Sequence, residues 1–117
     1  YHTDNDLALL RIPPVNRSPV HLYSGEKLVR GQKVVAIGSP LGLFNTVSDG
    51  IIAGFRNIGD KSMVQFTAPI SDGNSGGALL NLYGELIGIV TASFDDGQNL
   101  NLAVDYETVR SFLRGFI

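Results

Sequence analysis

Apolar residues fall in short runs broken by glycine and proline, the pattern of strands joined by tight connections. Residues 7–12 (Leu-Ala-Leu-Leu-Arg-Ile) read as a buried strand that Pro13-Pro14 terminates. Residues 13–31, with Pro13, Pro14, Pro19, Gly25 and Gly31, read as a connector over the surface. Residues 33–37 are strand-like and are closed by Gly38-Ser39-Pro40; residues 46–55 predict a strand with a bend or bulge at Asp49-Gly50. Residues 62–67 are a further strand. Residues 78–81 and 85–92 predict a hairpin around Leu82-Tyr83-Gly84, and residues 100–104 the last strand. Asp105 is placed to N-cap a helix over about residues 106–114, with Val109, Phe112 and Leu113 on one face. The chain therefore predicts an all-β barrel or sandwich with one helix.

Composition narrows this. A chain of 117 residues with 44% apolar and 17% charged residues is one globular domain. A formal net charge of −2 gives no electrostatic footprint for nucleic acid or an anionic membrane, and no apolar run approaches a membrane span. The absence of cysteine excludes disulfides, thiolate metal sites and a cysteine nucleophile together. Tyr1-His2-Thr3-Asp4-Asn5-Asp6 carries no initiator methionine and no targeting segment, and an apolar run follows at once. The expectation is a piece of a longer protein.

Two places carry candidate chemistry. Gly73-Asn74-Ser75-Gly76-Gly77 sets one hydroxyl inside a turn that is nearly all glycine, between two apolar stretches. Such a serine can be exposed with little steric cover, and backbone N–H groups around it can point at a ligand. A serine nucleophile and an oxyanion hole need that environment, although the same composition also makes a simple turn between strands. Asn5-Asp6-Leu7-Ala8-Leu9-Leu10 sets a carboxylate against a buried strand with no cation beside it. Orienting a histidine is one reason to keep such an aspartate; an Asx turn before a strand is the other reading.

Together the pieces resemble the trypsin-like serine peptidases, and within them the bacterial HtrA-like branch. The resemblance rests on Asp6-Leu7-Ala8-Leu9-Leu10, the run from Gly31 through Gly38-Ser39-Pro40-Leu41-Gly42, Thr46-Val47-Ser48-Asp49-Gly50-Ile51-Ile52, Gly73-Asn74-Ser75-Gly76-Gly77-Ala78-Leu79, Gly84-Glu85-Leu86-Ile87-Gly88-Ile89, and Asn101-Leu102-Ala103-Val104 followed by a helix. It implies an all-β fold: the second six-stranded antiparallel barrel of a double-barrel structure, with one strand from the first barrel and a C-terminal helix. Residues 1–12 would then be that last first-barrel strand, 13–31 the inter-barrel connector, 32–104 the second barrel and 105–117 the helix.

By the same resemblance Ser75 is the nucleophile, Asp6 the triad acid, and the N–H groups of Gly73 and Ser75 the oxyanion hole. The family order is histidine, aspartate, serine. His2 lies four residues before Asp6, on the order of 13 Å in an extended segment, too far to bond it. His21 follows Asp6 within the connector. Both histidines read as surface residues, so the catalytic histidine is expected upstream and the 117-residue chain is expected to be inactive. The strand at 7–12, left without neighbours, is expected to be disordered, displaced or paired with a second copy.

The resemblance places Pro69, six before the serine, at the base of the primary pocket beside Ile70, with Thr91-Ala92-Ser93 as the edge that pairs with substrate backbone. An apolar base without a carboxylate implies small or medium aliphatic side chains rather than Lys or Arg. Polypeptide substrates are implied, with no cofactor and no metal; a bacterial parent outside the cytoplasm is suggested. The alternative is a non-catalytic relative acting as a peptide-binding or assembly domain. The remaining candidates read as ordinary surface: Asp72 a turn residue, Asp95-Asp96-Gly97 a solvated loop, Asn16-Arg17-Ser18 a glycosylation sequon relevant only to a secreted eukaryotic parent. His2, Asp4 and Asp6 make no credible metal site, and Tyr23 and Phe44 form no stacking platform.

Overall fold

The computed structural model describes residues 7–11, 13, 19–38, 46–58, 61–70, 76–93 and 101–114. Six strands and one helix follow in order: β1 (Lys33–Gly38), β2 (Thr46–Ile58), β3 (Lys61–Phe66), β4 (Ala78–Leu80), β5 (Leu86–Ser93), β6 (Asn101–Asp105) and α1 (Tyr106–Arg114). The strands close into an antiparallel barrel in the order β1-β2-β3-β6-β5-β4, which leaves no open sheet edge around the cylinder.

Alternation along the strands sorts side chains between two apolar clusters. Val34, Ala36, Ile52, Val64, Phe66, Leu79, Ile87, Val90 and Ala103 fill the barrel interior, joined by Leu28, Ala68 and Tyr106. Met63, Leu102 and Val104, on the opposite faces of β3 and β6, pack under α1 against Val109 and Phe112, with Leu113 partly buried beside them. The helix begins where the sequence places it. The Asp105 carboxylate accepts from the Thr108 backbone N–H at 2.9 Å, satisfying one of the first-turn donors.

Two expectations need correction. The bend in β2 is not at Asp49-Gly50, where pairing with β1 runs unbroken from Lys33↔Ile51 to Gly38↔Thr46. The irregularity lies between Ile52 and Gly54 in the pairing with β3, so Ala53 is the extra residue. Gly50 is required for a different reason, the close approach of another backbone. The strand predicted over 7–12 also does not form within the described residues. Leu7 is buried in the cluster under α1, whereas Ala8, Leu9, Leu10 and Arg11 are exposed, Leu10 at 81%, and carry no ladder. Ile12 lies outside the described residues. A strand is stabilised by its neighbours, and among the described residues no neighbour pairs with 8–11.

The described part of the connector is pinned rather than loose. Tyr23 N donates to Leu86 O at 2.9 Å and Leu86 N to His21 O at 2.8 Å, a short parallel bridge onto the start of β5. Tyr23 meets Tyr106 edge-on at 5.0 Å, and Arg110 reaches from α1 to the Tyr23 carbonyl at 2.6 Å while lying over the Tyr106 ring.

Candidate active site

Residues 71–75, including Asp72, Gly73 and Ser75, lie outside the described residues, as do Asp6, His2 and Asp95-Asp96-Gly97. The segments that enter and leave the serine turn are described, and they are held in different ways. On the outgoing side Gly76 has φ of +89°, a conformation that a side chain would strain. Its N–H donates to Val90 O at 2.8 Å, and Val90 N donates to Gly77 O at 2.9 Å. The turn thus exits directly into a ladder with β5, which continues as Ala78↔Ile89 in β4.

The incoming segment, Thr67-Ala68-Pro69-Ile70, is held mostly by side-chain bonds to two other elements, β2 and β6. Thr67 N donates to Ile51 O at 3.0 Å, and Ile51 N donates to Thr67 Oγ1 at 2.9 Å. Ser48 Oγ on β2 donates to Pro69 O at 2.6 Å, and Asn101 Nδ2 on β6 donates to Ala68 O at 2.8 Å. These bonds draw β2 and the segment together at Gly50. A Cβ there would lie 2.7 Å from Ala68 Cα and from Thr67 Oγ1, so only glycine fits.

Pro69 is exposed with its carbonyl tied back to Ser48, while Ile70 is half-buried against the barrel core. The described β4–β5 ladder ends at Val90, whereas β5 runs on to Ser93, paired with β6 through Ala92↔Leu102 and Ser93↔Asn101. The structure therefore brings Pro69, Ile70 and residues 91–93 to the same end of the barrel as Asn101 and the serine turn's two arms. His21 is exposed and contributes its backbone carbonyl to β5.

Sequence reasoning missed Ser48, Thr67 and Asn101. Asn101 carried a signal: an amide inside an apolar strand run needs a partner. Ser48 and Thr67 carried none, because nothing local distinguishes a tethering hydroxyl from an exposed one.

Among the described residues, the two ionisable groups whose titration the fold shifts lie elsewhere. Burial is the main force raising the Asp105 carboxyl above its ordinary value, against the opposing pull of its bonds to the Thr108 N–H. Burial likewise raises the Tyr106 hydroxyl, helped by Glu107, whose carboxylate accepts from it at 3.2 Å. Both border a cleft of about 370 Å³ floored by Leu28 and Val64 and rimmed by Phe55, which holds none of the predicted site residues. Among the described residues no group of three or more His, Asp or Glu could hold a metal ion, and no helix is long and apolar enough to cross a membrane.

Residues 1–89 match the family described as the trypsin-like peptidase domain. The putative serine protease HhoB of Synechocystis is 38% identical over 93% of this chain, which spans 28% of that protein. The mitochondrial serine protease HTRA2 of Drosophila grimshawi is 42% identical over 93% of the chain and 27% of its own length. The HtrA-type protease AlgW, solved with a tripeptide, superposes with a TM-score of 0.81 at 33% identity, covering 91% of this chain and 38% of that one. The chain thus spans about a quarter of the length of these curated relatives.

Proposed function

The chain belongs to the trypsin-like peptidase domain family, on its HtrA-type branch, and from that premise we propose that it is the nucleophile-bearing part of a serine endopeptidase. Ser75 attacks a peptide carbonyl, Asp6 orients a histidine supplied upstream of this chain, and that histidine moves the proton from Ser75 to the leaving amine. The N–H groups of Gly73 and Ser75 receive the developing oxyanion. Water then deacylates the enzyme. Substrate backbone pairs with residues 91–93 as an added strand, and Pro69 and Ile70 line the pocket for the side chain before the scissile bond.

One observation carries this reading: the described segments on both sides of residues 71–75 are anchored, by the Gly76–Val90–Gly77 ladder and by the tethers on 67–69. An oxyanion hole works only if its donors are fixed before the charge develops, and anchored segments on either side favour that arrangement.

The full-length parent should label covalently with a fluorophosphonate probe and hydrolyse casein, and Ser75→Ala should abolish both. The 117-residue chain alone should do neither. Turnover by the isolated chain would refute the placement of the histidine. Failure of the parent to label would favour a non-catalytic peptide-binding domain.

A further inference from the structure

β6 opens on a buried amide. Asn101 is 4% exposed and pairs with Ser93 of β5 on one side and Phe66 of β3 on the other. Along the strand it shares the parity of Ala103, which lies in the barrel interior, while Leu102 and Val104 lie under the helix. Its bond to Ala68 fixes the amide's orientation, because the partner is a carbonyl and only the nitrogen can donate to it. Among the described residues neither Oδ1 nor the second N–H of Nδ2 has a partner. A buried polar group left half-satisfied is uncommon and calls for a reason.

The surroundings supply one. Ala68 immediately precedes Pro69, and Ser93 ends the strand segment that extends past the last described β4 rung. The amide therefore stands between the two segments read above as pocket base and substrate-pairing strand. We propose that Asn101 is a specificity-determining residue whose unused amide oxygen and N–H bind the hydroxyl of a threonine or serine in the substrate residue before the scissile bond. This rests on the reading of Pro69 and residues 91–93 as the substrate pocket.

The chemistry selects that side-chain class. A carboxamide offers one donor and one acceptor, and a hydroxyl answers both. An ammonium would satisfy the oxygen and oppose the N–H, a carboxylate the reverse, and either would bring an unpaired charge into the barrel end. An aliphatic side chain leaves both amide groups unsatisfied, and a site built to hydrogen-bond its substrate discriminates against an apolar isostere. The asparagine side chain also occupies depth that a long substrate side chain would need. The expected preference therefore moves from small aliphatic residues to small hydroxylated ones.

Paired fluorogenic peptides differing only by Thr against Val, and by Ser against Ala, test this on the full-length protein, with fluorophosphonate labelling of Ser75 in parallel. The Thr/Val ratio of kcat/KM should be roughly tenfold, the value of one well-made hydrogen bond, and Asn101→Leu should bring it to one or below. The ratio is internal to each preparation, so partial unfolding does not change it. If Asn101→Leu does not fold, the wild-type ratio alone decides. A labelled enzyme that cleaves Val as well as Thr overturns the proposal and leaves the protease reading standing, as does a Thr preference that survives in Asn101→Leu. A protein that does not label overturns both.

Discussion

Replacing Gly50 with alanine probes how the incoming arm of the serine turn is held. The added Cβ would lie 2.7 Å from Ala68 Cα and Thr67 Oγ1, and closer still to Ala68 N. None of these is the yielding end of a long side chain. To reach ordinary contact, β2 and the 67–69 segment must part by about 1 Å, an overpacking that costs about 1–3 kcal/mol. Parting by that much also takes the Ile51 N–Thr67 Oγ1 bond (2.9 Å) and the Thr67 N–Ile51 O bond (3.0 Å) out of hydrogen-bonding range. Each adds about 1 kcal/mol. Alanine returns roughly 0.4–1 kcal/mol by restricting the unfolded chain. The net loss is then about 2–5 kcal/mol, a large part of the roughly 5–15 kcal/mol that holds a domain folded. Urea-induced unfolding followed by far-UV circular dichroism measures it, and Gly50→Ser should be no milder. In folded enzyme, fluorophosphonate labelling of Ser75 should also slow, because the displaced segment leads into the turn. A loss below about 0.5 kcal/mol, the range of ordinary surface changes, would refute the close approach as a constraint.

Three further outcomes follow from other contacts. Asn81→Ala should cost about 2–3 kcal/mol in the same assay, because Asn81 Oδ1 accepts from Tyr83 N (3.0 Å) and Glu85 N (2.9 Å) in the β4–β5 turn and both donors lose their partner. Asp105→Ala should cost about 1 kcal/mol by removing the helix cap, whereas Asp105→Asn keeps an acceptor for Thr108 N. Because burial raises the Asp105 carboxyl in the folded state, protonation favours folding; this favourable contribution is full below the unfolded value of 3.8 and is lost as pH rises through the folded value. The stability of Asp105→Asn relative to wild type should therefore improve from acid to neutral pH, and an opposite trend in unfolding midpoints would contradict the assigned cause. Arg110→Ala should cost about 1–2 kcal/mol through the lost bond to Tyr23 O and the lost contact with the Tyr106 ring, and Arg110→Lys should recover only part of it.

Strand and helix positions were readable because each is written in local chemistry. Asp105 before a run with Val109 and Phe112 gave the helix start to the residue, and the strands of the barrel match runs bounded by Gly and Pro. What local pattern could not give was the purpose of Gly50: a glycine inside a strand signals either a bulge or a close neighbour, and only the fold reveals Ala68 beside it. The bulge at Ala53 left no residue signature of its own. Leu7 and its apolar successors look alike in sequence, yet among the described residues of that run only Leu7 finds a buried partner set, because burial depends on what is packed against a run. The candidate site stands in the sequence as the motif Gly73-Asn74-Ser75-Gly76-Gly77, of which only Gly76 and Gly77 fall within the described residues. The supports of the segment leading into it were not legible there, since Ser48 and Asn101 reach residues 68–69, and Thr67 reaches Ile51, only through long-range contacts.

The contrast between the two arms bears on how such a site can vary. The outgoing arm is held by backbone bonds between Gly76, Gly77 and Val90, which any side-chain set compatible with the ladder preserves. The incoming arm depends on one hydroxyl from Ser48, one from Thr67 and one amide from Asn101, each donated to or from backbone of another element. Substitution at these three positions shifts residues 67–70 without opening the barrel, whose closure rests on the strand ladders. The segment leaving the proposed nucleophile is thereby tied to the fold itself, while the segment read as the pocket base is adjustable by single side chains. On the proposed reading, specificity can change on that side at a cost of about 1 kcal/mol per tether while the ladder of Gly76 and Gly77 with Val90 stays intact.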